Sequence, residues 1–246
     1  MKLSTRLAIK LRLMSPKFYF GKHLSDFFLD HIKPHVYFDR WSIQPFNGQA
    51  HRFSTISALA RSFKPTVGVE TGTFLGSSTP YLASMISGEM YTIEIDPGTA
   101  HIAQERFSKN HPSLKIILRQ GDSVTEIRRI LQNIDAKESR VFAYLDAHWY
   151  DAVPTTSEIQ ALVEWGGPWI AVIDDFKVPH DSEYKYDVYG EIEIGKDILP
   201  SNQGLCLYVP STPANLETGR RKGTGYVCRA SEESYFKAQP ELVRIY

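Results

Sequence analysis

The stretch TVGVETGTFLGSST (residues 66–79) decides the fold. It begins as a short run rich in β-branched valine and threonine, which favour strands. It then passes through Gly72 and Gly76 and ends in serines and threonines ahead of an amphipathic segment. Glycine permits a tight turn and a close backbone approach to a ligand, and a helix N-terminus offers free amide N–H groups. The stretch therefore predicts a buried strand, a ligand-binding turn and the start of a helix.

The same alternation of strand and helix patterns continues to about residue 175. The strand candidates are 66–71, 90–96, 115–120, 141–146 and 169–174, and helical stretches lie around 77–87, 99–109, 123–132 and 155–164. Five strands joined by helical crossovers predict a parallel, doubly wound α/β sheet. Two later runs, 204–210 and 225–230, are expected to close this sheet as an antiparallel pair.

Composition and charge exclude several classes of protein. The chain has 246 residues, of which 42% are apolar and 23% charged, so it is neither disordered nor fibrous. The net charge is zero, which does not indicate a nucleic-acid binder. The two cysteines lack the spacing of a metal site or a disulfide framework. No apolar run approaches the roughly 18 residues of a membrane span, and the N-terminus lacks the apolar core of a secretory signal. We expect a soluble, cytoplasmic protein.

The first 45 residues are expected to form a basic helical cap on a domain that spans 46–246. Six basic residues precede the first acid, Asp26, so residues 1–25 carry a charge of +6 and the remainder of the chain −6. Leucines at positions 3, 7 and 11 form one stripe of an amphipathic helix. Such a helix contacts anionic lipid, or it packs on its own domain or on a second subunit of a homo-oligomer.

Carboxylates stand at or just after the predicted carboxyl ends of the strands. They are Glu70, Glu94 with Asp96, Asp122, Asp146, and the pair Asp174 and Asp175. Ligands of open α/β sheets bind outside these strand ends, near the point where the strand order reverses. The acids therefore predict a ligand site along this edge of the sheet.

The segment Glu70–Thr–Gly72–Thr–Phe–Leu–Gly76 resembles the first motif of class I S-adenosylmethionine-dependent methyltransferases, acid-x-Gly-x-x-x-Gly. The resemblance covers about residues 65–176 and implies a Rossmann-like, seven-stranded sheet, mostly parallel, whose last strand is antiparallel. It also implies that Glu94 binds the ribose hydroxyls, with Asp96 as the alternative. The cofactor-binding residues that it implies are Glu70, Gly72, Thr73, Gly76, Ser77, Glu94, Asp122, Ser123 and Asp146.

The segment LDAHWYD (145–151) is similar to the corresponding stretch of catechol O-methyltransferases. Cephalosporin hydroxylase-like proteins and sugar or macrolide O-methyltransferases share its arrangement of three acids. The resemblance implies that Asp146, Asp174 and Asp175 bind Mg²⁺ or another hard divalent cation, which lowers the pKa of an acceptor hydroxyl. Two departures, the extra Ala147 and a tyrosine in place of the family's basic lysine, leave the general base open.

His148 is our first candidate for the catalytic base, because an imidazole titrates near neutrality. Asp146 is the other predicted catalytic residue, as a ligand of the cation or a contact of the substrate. Lys177 is the second candidate. The expected reaction is methyl transfer from adenosylmethionine to a hydroxyl of a small molecule, such as a natural product or a sugar. The alternatives are a metal-independent methyltransferase and a non-catalytic relative that keeps the fold as a binding module.

Three segments outside the core are candidates for substrate recognition. The first is 44–52, and the second is the long segment 177–203, whose size suits a lid over the site, a surface excursion or a dimer contact. The third, 219–225, carries Arg220, Arg221 and Lys222, and it either holds an anionic group of a substrate or forms a solvated hairpin tip.

Overall fold

The computed structural model describes residues 44–148, 153–200 and 204–246. Its helices are α1 (Ala50–Phe63), α2 (Thr79–Ser84), α3 (Pro97–Asn110), α4 (Ser123–Gln132), α5 (Thr155–Trp165) and α6 (Glu233–Lys237). The strands of the main sheet are β1 (Val67–Thr71), β2 (Glu89–Glu94), β3 (Ile116–Gln120), β4 (Val141–Leu145), β5 (Trp169–Ile173), β8 (Leu205–Pro210), β9 (Gly225–Arg229) and β10 (Leu242–Arg244). A separate hairpin is formed by β6 (Val188–Tyr189) and β7 (Ile192–Glu193).

The main sheet has the strand order β10-β8-β9-β5-β4-β1-β2-β3. Strands β1 to β5 are parallel, whereas β9 runs antiparallel to both β5 and β8. The order reverses between β1 and β4, whose carboxyl ends are joined by a hydrogen bond of 2.9 Å from Asp146 N to Thr71 O. The crevice at this reversal is where an open α/β sheet binds its ligands.

The predicted Rossmann-like α/β class is confirmed, with one strand more than predicted. Each of the five parallel strands and both closing strands forms within a residue or two of its predicted bounds. The eighth strand, β10, pairs antiparallel with β8 at the edge of the sheet. Its three residues are too few to show the alternation of apolar and polar side chains from which strands are recognised.

Two apolar layers cover the two faces of the sheet. One contains buried residues of α4 and α5, such as Ile127 and Leu162, and the other contains Leu59 of α1 and Phe236 of α6. Helices on both faces account for the nearly continuous apolar sequence of the central strands, because β4 and β5 are buried throughout. This packing fixes the strand ends that carry the acids.

The basic segment 1–43 lies outside the described residues, so its helix and its contacts remain predictions. In the described part of the chain, no helix is both long and apolar enough to cross a membrane. Cys206 and Cys228 are buried and unbridged, and they face each other across β8 and β9.

Candidate active site

The turn after β1 needs its two glycines for different reasons. Gly72 has a φ of +82°, and a Cβ atom there would lie 2.1 Å from the backbone oxygen of Asp146. Gly76 has a φ of +69°, and its Cβ would lie 2.5 Å from the ring of Phe107 in α3. The first glycine therefore lets the turn close against the end of β4, and the second lets helix α3 pack beneath it.

Glu70 is buried at the end of β1 and is held by two hydroxyl groups. Thr79 Oγ1 and Thr92 Oγ1 donate to Glu70 Oε2 at 2.5 and 2.6 Å. Burial raises the pKa of Glu70 to about 7, although these two hydrogen bonds oppose the shift. Thr73 belongs to the same network, since its Oγ1 lies 2.5 Å from that of Thr92. These contacts join the turn to strand β2.

Glu94 at the end of β2 turns its carboxylate toward this glycine turn. Its Oε2 accepts the backbone N–H of Phe74 at 2.8 Å, and its Oε1 accepts that of Asp96 at 2.9 Å. Asp96, the alternative ribose ligand, instead caps helix α3 by accepting Thr99 N at 2.8 Å. Of the two acids, Glu94 is therefore the one placed beside the turn.

The remaining predicted cofactor residues lie at helix starts. Asp122 caps α4, accepting the backbone N–H and the hydroxyl of Thr125 at 2.9 and 2.8 Å. Ser123, the next residue, is buried. Ser77 follows the glycine turn, and its buried Oγ has no hydrogen-bond partner among the described residues. Ser77 thus has a hydroxyl group that a ligand could use, whereas the Asp122 side chain is already engaged.

Asp146, His148 and Asp175 come together between the ends of β4 and β5. Their ligand atoms all lie within 4.8 Å of one another. His148 Nε2 is 3.7 Å from Asp146 Oδ1 and 3.8 Å from Asp175 Oδ2. The imidazole is 2% exposed, yet neither of its nitrogens makes a hydrogen bond within the described structure. A buried polar ring without partners, facing two carboxylates, indicates a place for a cation or a reacting group.

Asp174, the third predicted ligand, is not a member of this group, and both of its carboxylate oxygens already have partners. Arg52 of α1 forms a salt bridge with Asp174 Oδ1, and Tyr144 Oη and Asn47 Nδ2 donate to Oδ2 at 2.8 and 3.1 Å. The backbone N–H of Asp175 donates to Oδ1 at 2.7 Å. With both oxygens engaged and 1% of the residue exposed, Asp174 acts as an internal anchor. His148 takes its place in the cluster of potential ligands.

Lys222 enters the same region from the loop before β9. Its Nζ lies 2.9 Å from Asp175 Oδ2 and also forms a salt bridge with Asp187. Segment 219–225 is therefore more than a solvated hairpin tip, because Lys222 is buried at its centre. Sequence alone does not reveal this, since Lys222 stands among other basic residues in a glycine-rich loop.

The electrostatics of the cluster favour a cation. Four carboxylates, those of Asp146, Asp174, Asp175 and Asp187, share two basic side chains, Arg52 and Lys222. Burial and then the charges of Asp174 and Asp175 raise the pKa of Asp146 well above its ordinary value. Burial and Asp174 also raise the pKa of Asp175, although His148 and Lys222 oppose this. When all four carboxylates are ionised and the imidazole is neutral, the cluster has an excess of two negative charges, and a divalent cation would neutralise them and favour this ionised form.

Burial opposes protonation of His148, but the carboxylates around it outweigh burial. The charges of Asp175, Asp174 and Asp187 together raise the pKa of the imidazole. Lys177, the second candidate base, lies outside the cluster. Its Nζ is 2.6 Å from Glu193 Oε2, on the exposed face of the β6–β7 hairpin.

Glu158 is a candidate site residue that motif spacing did not reveal. It is 0% exposed in α5, and neither of its oxygens has a hydrogen-bond partner in the described structure. Burial raises the pKa of Glu158 to about 7, and the hydroxyls of Ser123 and Thr71 partly offset this. These neighbours place Glu158 at the cofactor side of the cluster. The signal was available, because Glu158 lies on the apolar face of α5 with Ile159 and Leu162.

Part of the predicted lid contacts the cluster. Tyr189 Oη, on the β6–β7 hairpin, donates to the backbone oxygen of His148 at 2.7 Å, and the two rings meet edge to face. Asp187, just before the hairpin, donates its backbone N–H to the backbone oxygen of Asp175 at 3.1 Å. Within segment 177–200, Asp187 and Tyr189 thus contact the cluster, and the role of the segment as a substrate lid stays a prediction. Residues 149–152 and 201–203 lie outside the described part of the chain.

The donor set suits a divalent cation. Carboxylate oxygens are the usual ligands of Mg²⁺ and Mn²⁺, and an imidazole nitrogen is a common ligand of transition-metal ions. His148 Nε2 and Asp175 Oδ1 are buried and unpartnered, so both have lone pairs to offer. Asp175 also has a φ of +54°, a backbone strain of the kind that accumulates at functional sites.

No family model matches the chain, and no curated protein matches it in sequence. The fold is nevertheless similar to that of solved O-methyltransferases. The O-methyltransferase TomG from Streptomyces achromogenes, involved in tomaymycin synthesis and solved with SAM, superposes with a TM-score of 0.52 at 15% identity, over 93% of this chain and 99% of that one. An O-methyltransferase from Bacillus cereus in complex with SAH gives a TM-score of 0.51 at 14% identity, over 73% of this chain and 81% of that one. The chain therefore shares its fold with these O-methyltransferases.

Proposed function

We propose that this protein transfers a methyl group from S-adenosylmethionine to a hydroxyl group of a small molecule. The proposal is based on the direct contact between two parts of the site, the glycine turn that would bind the cofactor and the cluster of Asp146, His148 and Asp175. Gly72 of the glycine turn packs against the backbone of Asp146, which belongs to the His148 cluster. A cofactor bound at the turn would present its methyl group toward the cluster. The solved structures of similar fold, with SAM or SAH bound, support the same cofactor here.

In the cofactor half of the site, around the glycine turn, Glu94 and Glu70 have different proposed roles. Glu94, beside the turn, is the proposed ligand of the ribose hydroxyls, because a carboxylate accepts both in charge-assisted hydrogen bonds. Glu70 stabilises the turn through Thr79 and Thr92. We propose that backbone amides and side-chain hydroxyls of the glycine turn and of the start of α4 contact the rest of the cofactor. The residues are Gly72, Thr73, Gly76, Ser77, Asp122 and Ser123. We include Glu158 in this half because it lies beside Ser123 and Thr71.

The chemical half is the proposed site of a divalent cation. Asp146, His148 and Asp175 would hold it, and when bound it would lower the pKa of the acceptor hydroxyl. An imidazole nitrogen that binds a cation has no lone pair left for a proton. His148 is therefore a ligand in the metal-assisted reaction and the base in a metal-independent one. Asp174 would support either reaction, because it holds Arg52 and the backbone of Asp175 in place.

Calorimetry with adenosylmethionine tests the proposal at its first step. We expect binding in the micromolar range, weakened at least tenfold by Glu94→Gln and unchanged by Glu89→Gln, an exposed acid at the other end of the same strand. Absence of binding by the wild-type protein would contradict the enzyme and favour the non-catalytic relative. Transfer of a labelled methyl group to a panel of catechols, sugars and hydroxylated natural products then identifies the acceptor.

The need for a metal is tested with the acceptor in hand. We expect chelation to abolish turnover while cofactor binding persists, and added Mg²⁺ or Mn²⁺ to restore it. Turnover that survives an excess of chelator would show the metal-independent reaction. In that case His148→Gln should remove from the pH–rate profile the acidic limb, on which the rate rises with pH as the base loses its proton.

A further inference from the structure

Lys222 occupies the cluster in which the cation is proposed to bind. Its ammonium lies 2.9 Å from Asp175 Oδ2, the oxygen that is also 3.8 Å from His148 Nε2. Lys222 is only 7% exposed, so this contact is made inside the protein. No part of the proposed reaction uses an ammonium at this point.

The backbone around Lys222 is fixed on both sides. Gln49 binds it twice, donating from Nε2 to Lys222 O at 2.9 Å and accepting Lys222 N at Oε1 at 2.7 Å. Arg52 Nη2 donates to the same backbone oxygen at 2.5 Å. The neighbouring Gly223 has no room for a side chain, because its Cβ would lie 2.0 Å from Phe176 O. The position of the side chain in the cluster is therefore built into the fold.

A divalent cation and this ammonium compete for the same carboxylate. A cation bound by Asp175, through either of its oxygens, would lie close to Lys222 Nζ, and the two like charges would repel each other across a poorly solvated site. One of them must withdraw. Asp187 gives Lys222 a second partner, because the ammonium already forms a salt bridge with it.

We propose that Lys222 is a built-in competitor for the cation site, which holds Asp175 when no cation is bound and moves to Asp187 when one binds. The proposal rests on the cation site of the proposed function. As a consequence, Lys222 and Asp187 have opposite effects on the affinity of the site for the cation. Lys222 weakens cation binding, and Asp187 strengthens it by offering the ammonium another place.

Manganese binding to the full-length protein, measured by calorimetry without cofactor or acceptor, tests this. We expect Lys222→Met to raise the affinity for Mn²⁺ about tenfold or more and Asp187→Asn to lower it about threefold or more. Lys185→Met is the matched control, since Lys185 is an exposed lysine whose backbone pairs with that of Lys222, and it should leave the affinity unchanged. Thermal unfolding of each variant checks that it is folded.

The double variant separates competition from a simple change of charge. If Lys222 moves to Asp187, then Asp187→Asn should have little effect once Lys222 is replaced by methionine, and the two effects will not add. Additive effects, an unchanged affinity in Lys222→Met, or no Mn²⁺ binding in any variant would each overturn the proposal. Failure of the proposed function is detected separately, as a lack of adenosylmethionine binding in calorimetry.

Discussion

The pair of Arg52 and Asp174 shows how a residue that resembles a ligand can instead support the site. Arg52 is buried and donates to the backbone oxygens of Lys222 and Gly223 as well as to Asp174. Burial opposes the charge of Asp174, but Arg52 outweighs it and holds the pKa of Asp174 below its ordinary value. One guanidinium thus ties helix α1 to the end of β5 and to the loop before β9.

Replacing Arg52 by methionine should therefore lower the free energy of unfolding. The change leaves the Asp174 charge buried without its partner, which costs about 3–5 kcal/mol in comparable buried pairs. Urea unfolding measures the loss, and Arg61→Met is the control, because Arg61 is exposed in the last turn of the same helix. A loss equal to that of the control would show that Arg52 does not stabilise the fold.

Glu158 makes the stability depend on pH. Its pKa is about 7 in the folded protein and near 4.5 in the unfolded chain, so the folded state binds the proton more tightly. The contribution to stability is complete below pH 4.5 and is lost as the pH rises through 7. Glu158→Gln removes this titration and should stabilise the protein by up to about 3 kcal/mol at pH 8, with little effect at pH 4.5.

Denaturant unfolding at pH 4.5 and pH 8 measures this difference. Glu164→Gln, an exposed position of the same helix, should show no gain at pH 8. Glu70 titrates in the same range and is present in both variants, so it cancels from the comparison. Equal effects of Glu158→Gln at the two pH values would contradict a raised pKa of Glu158.

At the scale of elements, the turn between β1 and α2 is the most constrained part of the site. Gly72→Ala combines an unfavourable φ with a Cβ placed against the Asp146 backbone. We expect it to destabilise the protein by about 3 kcal/mol and to abolish adenosylmethionine binding, because the turn can no longer close on β4. Calorimetry and urea unfolding together measure the two effects.

The hairpin glycine Gly190 provides the control for this change. Its φ is +61°, but a Cβ there meets no atom within 4 Å. Gly190→Ala therefore introduces the backbone strain without the steric clash. It should lower the free energy of unfolding by about 1 kcal/mol and leave cofactor binding intact. If both variants bind the cofactor equally well, the contact between Gly72 and Asp146 is not needed for the site.

Elements proved more predictable from sequence than the partners of individual side chains. The parallel strands follow from local runs such as 141–146, because burial on both faces demands continuous apolar residues. The glycine turn follows from the need for positive φ. The salt bridges of Asp174 and Lys222 depend on residues 122 and 35 positions away in the chain, and local patterns contain no such information. Arg52 was recognisable only as a charge on the apolar face of its helix.

At the scale of the whole molecule, the proposed site draws on the centre of the sheet. Its residues stand at the ends of β1, β2, β4 and β5, and the hairpin beyond β5 contacts it through Tyr189. A ligand bound there contacts elements from residue 70 to residue 189, most of the described domain. We expect its binding energy to stabilise the domain as one unit.

Adenosylhomocysteine, the product of the proposed reaction, should therefore raise the temperature of a single unfolding transition. At 100 times its Kd, a ligand adds about 2.7 kcal/mol to the stability of the folded state, which corresponds to about 5–10 °C for a chain of this length. Scanning calorimetry measures the shift, and Glu94→Gln should reach it only at ligand concentrations at least tenfold higher, whereas Glu89→Gln should match the wild type. Two transitions, of which the ligand moves one, would contradict a site built from the whole centre of the sheet, since its strands could not then unfold together.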